Sequence, residues 1–249
     1  MATSAAKTPS DLVVEGAAHA PDDVRGVIRW ATERFGDRLA LALSLGIEDT
    51  IMLHLLDEAA AAIGVRPRVF TLDTGRLPPE SYEMLERLRD RYRLPIEVFF
   101  PRAEAVEQLY RLKGPLSFYN SVEDRKECCG IRKVEPLGRA LAGAEAWLVG
   151  LRRAHGPTRA EVQRVERDIG NGGLWKLSPL IALGDEETWA LAKALDVPVH
   201  PLHGRGYPSI GCAPCTRAVA PGDPPRAGRW WWEDPDQKEC GLHRRGSTG

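Results

Sequence analysis

The chain has 249 residues, of which 43% are hydrophobic and 28% are charged, a composition typical of a globular protein that buries a sizeable core. Its formal net charge of -1 at pH 7 gives no overall basic field, which argues against a nucleic-acid-binding protein. No apolar run approaches the length of a membrane span, and the first ten residues lack the apolar segment of a secretory signal, so we expect a cytoplasmic protein away from membranes.

Strand and helix signals alternate through the first 150 residues. Residues 1–20 are predicted to form a disordered tail, and apolar residues at helical spacing from Val24 to Phe35 then predict an amphipathic helix. The elements expected after it are, in chain order, a strand at Leu39–Leu45, a helix at Glu48–Ile63, a strand at Arg68–Leu72, a helix from Pro79 to about Tyr92, a strand at Ile96–Phe100, a helix at Ala103–Leu112, a helix at Glu127–Leu141 and a strand at Ala146–Gly150. This alternation predicts an α/β fold with a doubly wound, mostly parallel sheet.

The second part of the chain is rich in Gly, Pro and Arg, and its strands are hard to place from sequence. We predict one more helix at Asp185–Leu195, with Asp185 as its N-cap, and loops beyond Pro198. The α/β domain is therefore expected to span residues 21–225, and residues 226–249 are expected to form a loop-rich, mobile C-terminal tail.

Two strand ends carry candidate nucleotide-binding residues. Ser44 and Gly46 end the first predicted strand and open a helix, where backbone N–H groups favour a phosphate. The stretch Leu72–Gly75, which includes Asp73 and Thr74, follows the second strand. Carboxyl ends of parallel strands meet at one edge of a sheet, where ligands bind. Neither standard Gly-rich phosphate motif is present, and both stretches are also compatible with plain turns.

The chain has five cysteines, which fall into a pattern of four plus one. Cys128 and Cys129 are adjacent, and Cys212 and Cys215 form a CxxC pair in a turn rich in Gly and Pro. In a reducing compartment, clustered thiols more often bind metal than form structural disulfides. Two such pairs suit either a structural zinc or an iron–sulfur cluster, and ligand type alone does not separate the two.

The fifth cysteine and several cations are candidates for chemistry. Cys240 is surrounded in sequence by basic groups that include Lys238 and His243, and such surroundings lower the pKa of a thiol. Lys133 follows Cys129 by four residues, so a helix would place both on nearly the same face. Each of these residues is also compatible with an ordinary solvated surface position.

Together these residues resemble the assimilatory sulfonucleotide reductases, specifically the bacterial iron–sulfur adenylylsulfate reductases. The matching segments are SLGIEDT at 44–50, LDTGRLPPESY at 72–82, CCGIRKVEPL at 128–137, AWLVGLRR at 146–153, TRA at 158–160, PLHGRGYPSIGCAPCTR at 201–217, RAGRWWW at 226–232 and KECGLH at 238–243. The resemblance covers roughly residues 25–243. It departs from the usual pattern at Leu45, Ile47, His155 and Gly156, which lie in loops.

The resemblance implies an adenine-nucleotide pyrophosphatase-type (Rossmann-like) sheet and one [4Fe-4S] cluster on the four paired cysteines. It implies that Cys240 attacks the sulfate sulfur of adenylyl sulfate, and that thioredoxin or glutaredoxin then releases sulfite, as part of cysteine biosynthesis. It also implies a homo-oligomer. The substrate-binding residues expected on this basis are Ser44, Gly46, Leu72, Asp73, Thr74, Gly75, Lys133, Arg159, Arg226, Arg229 and His243.

Three alternatives stay open at this point. The first is a reductase of the 3′-phosphorylated nucleotide, although the cluster-free relatives that prefer that nucleotide lack the paired cysteines. The second is an iron–sulfur ATP-pyrophosphatase-type tRNA thiolase, which the near-neutral charge disfavours. The third is a zinc-stabilised nucleotide-binding module without activity.

Overall fold

The computed structural model describes residues 23–156, 159, 161–234 and 238. The predicted N-terminal tail at residues 1–20 lies outside these residues, and so do Cys240 and His243. No helix in the described ranges is long and apolar enough to cross a membrane.

A six-stranded sheet organises the fold. Its strands are β1 (Leu39–Ala42), β2 (Arg68–Leu72), β3 (Ile96–Phe99), β4 (Ala146–Leu148), β5 (Val165–Asp168) and β6 (Leu174–Leu177), in the spatial order β3-β2-β1-β4-β6-β5. All neighbouring pairs are parallel except β5 and β6, which are antiparallel. The predicted doubly wound, mostly parallel α/β fold is confirmed. The strand order reverses between β1 and β4, which makes a switch point there.

Helices cover the sheet between the strands. They are α1 (Val24–Phe35), α2 (Ile47–Ile63), α3 (Pro79–Arg91), α4 (Ala103–Lys113), α5 (Val122–Cys129), α6 (Glu135–Ala140) and α7 (Asp185–Ala194), with a π-helical turn at Gly130–Val134 between α5 and α6. The helix predicted at Glu127–Leu141 thus begins earlier, where the Ser121 side chain accepts a hydrogen bond from the Asp124 N–H at 3.0 Å.

The apolar core lies on both faces of the sheet, as the alternation of side chains along β1 shows. Leu39 and Leu41 point into the larger cluster with α1, α2 and α7, whereas Ala40 points into a second cluster with Phe70 and Trp147. Successive side chains of a strand face opposite sides, so a short apolar strand such as β1 is buried on both faces. This double burial explains why the parallel strands are readable as apolar runs.

Two details of the second half differ from the sequence expectations. The antiparallel pair β5–β6 at the sheet edge was not predicted, because its first strand reads Val-Glu-Arg-Asp and carries more charge than apolar surface. The predicted N-cap at Asp185 is wrong: Gly184 is the N-cap of α7, and the Glu187 carboxylate accepts a hydrogen bond from the Gly184 N–H at 2.7 Å. The carboxylate therefore caps the helix from its first turn rather than from the preceding residue.

Residues 226–234, which the prediction grouped with the C-terminal tail, pack against the domain. The Trp230 side chain is fully buried, and the Arg125 guanidinium stacks 4.7 Å from its ring centre. Arg125 also forms a two-pronged ion pair with Glu233, with N–O distances of 2.9 and 2.6 Å. A buried arginine with a matched carboxylate needs both partners to offset its desolvation. This pair ties residues 226–234 to α5.

We expect Glu233→Gln to lower the free energy of unfolding by about 3 kcal/mol, because Arg125 would keep its buried charge without a counter-charge. Urea denaturation under anaerobic conditions measures the change. The control is Glu33→Gln, which removes the exposed Arg29–Glu33 pair and is expected to cost about 0.5 kcal/mol or less. Equal losses for the two variants would contradict the anchoring role of Arg125 and Glu233.

Candidate functional site

A cleft of about 560 Å³ opens at the carboxyl ends of β1, β2 and β4. This is the switch point of the sheet, where open α/β folds bind ligands. Among the residues predicted to bind substrate, those that line the cleft are Ser44, Gly46, Leu72, Thr74, Lys133, Arg159, Arg226 and Arg229. Asp73 and Gly75 do not line it, and His243 lies outside the described residues.

The loop after β1 is held by a buried carboxylate. Both the backbone N–H and the hydroxyl of Ser44 donate hydrogen bonds to Asp49 on the first turn of α2. Leu45 between them adopts the left-handed region with φ of 67°, a conformation that costs a non-glycine residue energy. Gly46 is the N-cap of α2, and the residues that begin this helix line the cleft.

Asp49 and its neighbour Glu48 have opposite protonation behaviour. Burial raises the pKa of Asp49 to about 7, with a further contribution from the adjacent Glu48 charge, even though Ser44 donates to its carboxylate. Burial also acts to raise the pKa of Glu48, but the hydrogen bond and charge of His155 and the charge of Arg152 outweigh it and hold that pKa at about 2. One carboxylate is therefore firmly ionised, while the other titrates near neutrality.

A charged network surrounds Glu48 at the cleft wall. Arg152 Nε donates to Glu48 Oε1 at 2.7 Å, and Arg152 Nη2 donates to Asp185 Oδ1 on α7 at 2.7 Å. His155 Nε2 lies 3.0 Å from Glu48 Oε1, and Arg159 Nη1 lies 2.8 Å from His155 Nδ1. The network ties the loop after β4 to α2 and α7 and brings Arg159 to the cleft.

The loop after β2 joins the cleft to the cysteines. Asp73 accepts hydrogen bonds from the Gly75 N–H at 2.8 Å and the Tyr82 hydroxyl at 3.2 Å, so this carboxylate shapes the turn instead of facing the cleft. The Thr74 hydroxyl contacts Cys212 Sγ at 3.2 Å. The Thr74 carbonyl accepts from Arg132 Nη1 at 2.6 Å. Thr74 thus belongs to the cleft and to the surroundings of Cys212 at once.

Four cysteines are buried in this region, and Cys128, Cys212 and Cys215 share one apolar cluster. They come in two pairs: Cys128 and Cys129 end α5, while Cys212 precedes and Cys215 ends a 3₁₀ turn at Ala213–Cys215. All four are free thiols. In the described part of the chain, no group of three or more His, Cys, Asp or Glu side chains is arranged to hold a single metal ion.

The pairs influence each other electrostatically. Burial raises the pKa of Cys215 to about 12, reinforced by Cys212 and Cys128 and opposed by Lys133 and Arg229. Burial likewise raises the pKa of Cys128, opposed mainly by Arg132 and Arg76. Cys128, Cys212 and Cys215 thus lie close enough to interact, and burial favours the neutral thiols of Cys128 and Cys215.

Two arginines of the cleft donate hydrogen bonds to backbone carbonyls. Arg229 Nη1 donates to the Ile210 carbonyl at 3.1 Å, and its guanidinium stacks 4.8 Å from the Trp230 ring centre. Arg226 Nη2 donates to the Lys238 carbonyl at 3.3 Å. Lys133 reaches the cleft from the π-helical turn, a departure from α-helical spacing that the sequence did not predict. These residues can attract an anionic ligand.

Sequence reasoning missed several residues of the site. Glu48, Asp49, Arg132, Arg152 and His155 were not singled out as site residues, although all of them are buried or half-buried around the cleft. The adjacent acids Glu48 and Asp49, directly after a glycine at a strand end, were the available signal. Arg152 and His155, the partners of Glu48, lie more than a hundred residues away in sequence, so local patterns could not reveal the pairing.

Comparisons with known proteins agree with this geometry. Residues 38–218 match the family model described as the phosphoadenosine phosphosulfate reductase domain. The chain is 50% identical over 207 residues to an "Adenosine 5'-phosphosulfate reductase" of Burkholderia cepacia, covering 83% of this chain and 81% of that protein. It is 48% identical over 209 residues to the protein of the same name from Allochromatium vinosum, covering 84% of this chain and 80% of that protein.

A solved structure supports the fold. The crystal structure of phosphoadenylyl-sulfate reductase from Candida auris, a phosphate complex, superposes with a TM-score of 0.67 at 22% identity, covering 87% of this chain and all of that one. A likeness at this level of identity concerns the architecture of the sheet and its helices.

We expect Asp49→Asn to change the pH dependence of stability. Because burial raises the pKa of Asp49 from 3.8 to about 7, the folded state binds the proton more tightly, and Asp49 contributes stability below about pH 4 that is lost as the pH rises to about 7. Compared with Asp49→Asn, the wild type should therefore lose up to about 4 kcal/mol of unfolding free energy as the pH rises from about 4 to about 7. Chemical denaturation at several pH values measures it, and a pH-independent difference would contradict the assignment.

Proposed function

Because the chain belongs to the phosphoadenosine phosphosulfate reductase domain family, we propose that it is an oxidoreductase that reduces adenylyl sulfate to sulfite and AMP in assimilatory sulfate reduction. The observation that carries the proposal is the cleft at the switch point of the sheet, which is lined by Cys212 and by the cations Lys133, Arg159, Arg226 and Arg229. Relatives of 42–50% identity that are named adenosine 5'-phosphosulfate reductases favour adenylyl sulfate over the 3′-phosphorylated nucleotide as substrate.

In this proposal Cys240 is the nucleophile. Its thiolate attacks the sulfur of the sulfate group, the bond from that sulfur to the bridging phosphate oxygen breaks, and AMP leaves with the bond's electron pair. The product on the protein is an S-sulfo-cysteine. The basic residues near Cys240 in sequence favour its thiolate form, whereas burial raises the pKa values of Cys128 and Cys215. The fifth cysteine is therefore the better nucleophile.

A thioredoxin or glutaredoxin completes the reaction. A thiolate of this donor attacks the Cys240 sulfur, and sulfite departs with the electron pair of the broken S–S bond. The second thiol of the donor then resolves the mixed disulfide and regenerates Cys240. These two displacements account for both electrons of the reduction. We also propose a cytoplasmic location, where thiol donors are kept reduced, and a homo-oligomer.

Cations of the cleft stabilise the departing nucleotide. Lys133, Arg159, Arg226 and Arg229 line the cleft, and preorganised positive charge lowers the barrier when negative charge builds on the phosphate oxygen. Arg229 is buried and held by the Ile210 carbonyl, so its direction is fixed before substrate arrives. We assign His243 to the same task from sequence. Ser44, Gly46 and the loop Leu72–Gly75 hold the nucleotide.

In the same proposal the four paired cysteines are the ligands of a [4Fe-4S] cluster. Cys128, Cys129, Cys212 and Cys215 supply the thiolate set that such clusters use, and the Thr74 hydroxyl lies 3.2 Å from one of these sulfurs. Arg76, Arg132, Lys133 and Arg229 act on the same sulfurs electrostatically, which offsets the negative charge of bound thiolates. When bound, the cluster supplies a fixed charge and a covalent clamp between α5 and the CxxC turn.

We expect Cys240→Ser to abolish sulfite formation, because a serine hydroxyl is a poor nucleophile at neutral pH. The assay is single turnover with adenylyl sulfate labelled in its sulfate group. The protein-bound label should disappear with the thiol, while binding of AMP is kept. Sulfite released by this variant, or label on a different residue, would contradict the assigned nucleophile.

We expect Cys212→Ser to lose the cluster while Cys240→Ser keeps it, because only the former removes a ligand. Iron and sulfide analysis after anaerobic purification measures the content, which should be about four irons per chain in the wild type and in Cys240→Ser. Zinc without iron in the wild type would overturn the cluster and favour a structural zinc. Equal iron in both variants would overturn the ligand set.

A further inference from the structure

His155 lies between an anion and a cation on the wall of the cleft. Its Nε2 is 3.0 Å from Glu48 Oε1, and its Nδ1 is 2.8 Å from Arg159 Nη1. His155 is partly buried, whereas Glu48 and Arg159 are buried. The imidazole therefore connects the first turn of α2 with an arginine that lines the cleft.

The chemistry of these contacts fixes one tautomer. A guanidinium has donors and no acceptor, so Arg159 must donate to His155 Nδ1, which must be unprotonated. The remaining proton of the neutral ring is then on Nε2, where it donates to the Glu48 carboxylate. Each ring nitrogen has a defined role, which is the arrangement that sets the orientation of a histidine.

The surroundings of His155 keep this arrangement neutral and directional. The charged groups that act directly on it are Glu48 from α2 and Arg152 and Arg159 from the loop after β4. Behind them, Asp49 from α2 and His203 interact with Glu48, and Asp185 from α7 pairs with Arg152. Arg152 already spans Glu48 and Asp185. A protonated imidazole would therefore add a third cation beside Arg152 and Arg159.

We propose that His155 is a positioning residue that aims the Arg159 guanidinium into the nucleotide cleft by linking it to Glu48. The inference rests on the proposed function, since it assigns the aimed charge to the sulfate or phosphate of adenylyl sulfate. The effect of His155 passes through Arg159, so it acts on substrate affinity more than on the chemical step.

A pH dependence follows from the geometry. Protonation of Nδ1 would turn the acceptor for Arg159 into a donor and place two cations together, which would release Arg159 from its aimed position. Burial lowers the pKa of His155, against the opposing pull of Glu48. The neutral, aiming form therefore prevails at neutral pH, and substrate affinity weakens on the acid side.

The test is a series of variants measured with adenylyl sulfate between about pH 5.5 and about pH 8. The set is His155→Gln, His155→Ala, Arg159→Ala and the double variant His155→Ala/Arg159→Ala. A glutamine can accept from Arg159 and donate to Glu48 without titrating, so it serves as the conservative replacement. The matched control is His54→Gln, which alters the His54–Glu58 pair further along α2.

We expect His155→Ala and Arg159→Ala each to raise KM about ten-fold at neutral pH, with a smaller effect on kcat. The double variant should be no worse than Arg159→Ala, because His155 works through Arg159. His155→Gln should keep the neutral-pH KM of the wild type and lose its rise on the acid side. His54→Gln should keep both.

Two results would overturn the positioning role. One is a double variant whose fold-increase in KM equals the product of the two single-variant increases, as for independent residues. The other is an acid-side rise in KM that is still present in His155→Gln. Dissociation constants for adenylyl sulfate are measured in parallel. A wild type that binds this nucleotide without making sulfite would defeat the proposed reaction, while the dissociation constants of the series would still decide the role of His155. Thermal melting of each variant identifies any that fail to fold, and His155→Gln then carries the decision.

Discussion

The contact between Thr74 and Cys212 is the constraint on which the arrangement of the site depends. Thr74 follows β2 and lines the cleft, whereas Cys212 belongs to a turn 138 residues later in the chain. Their side chains meet at 3.2 Å, and the Ala213 N–H donates to the Arg76 carbonyl at 2.8 Å in the same region. A ligand at the strand ends and a group bound to Cys212 would therefore be neighbours, because Thr74 and Cys212 both line the cleft.

Burial of charge around this wall is balanced locally. Glu48 and Asp49 are neighbours with similar burial, yet burial and the Glu48 charge push Asp49 toward the neutral form, while His155 and Arg152 hold Glu48 ionised. On α5, the buried charge of Arg125 is likewise compensated by Glu233. A buried charge is tolerated where a partner of opposite sign and good geometry is supplied. The cleft can thus present cations to an anionic ligand, because the buried charges around it are compensated within the protein.

Much of the fold could be predicted because its central strands are buried on both faces. Leu39–Ala42 and Arg68–Leu72 are short apolar stretches between helical patterns, and such alternation predicts a parallel sheet. The edge strand Val165–Asp168 was not predicted because three of its four residues are charged and it shows no alternation of apolar and polar residues. The π-helical turn at Gly130–Val134 escaped because backbone hydrogen bonding, not composition, sets it.

Some residues of the site could likewise be predicted from local sequence, whereas others could not. Ser44, Gly46 and Cys212, which line the cleft, were singled out from local patterns in the sequence. The ion pairs of Glu48 with Arg152 and of Arg125 with Glu233 each join residues more than a hundred positions apart, so only the fold reveals them.

The proposed reaction requires one reactive thiol at Cys240 and four thiols that are sequestered. Alkylation of the native protein under anaerobic conditions, read out by peptide mass spectrometry, tests this most directly. We predict modification at Cys240 and protection of Cys128, Cys129, Cys212 and Cys215, and equal modification of all five cysteines would contradict the account.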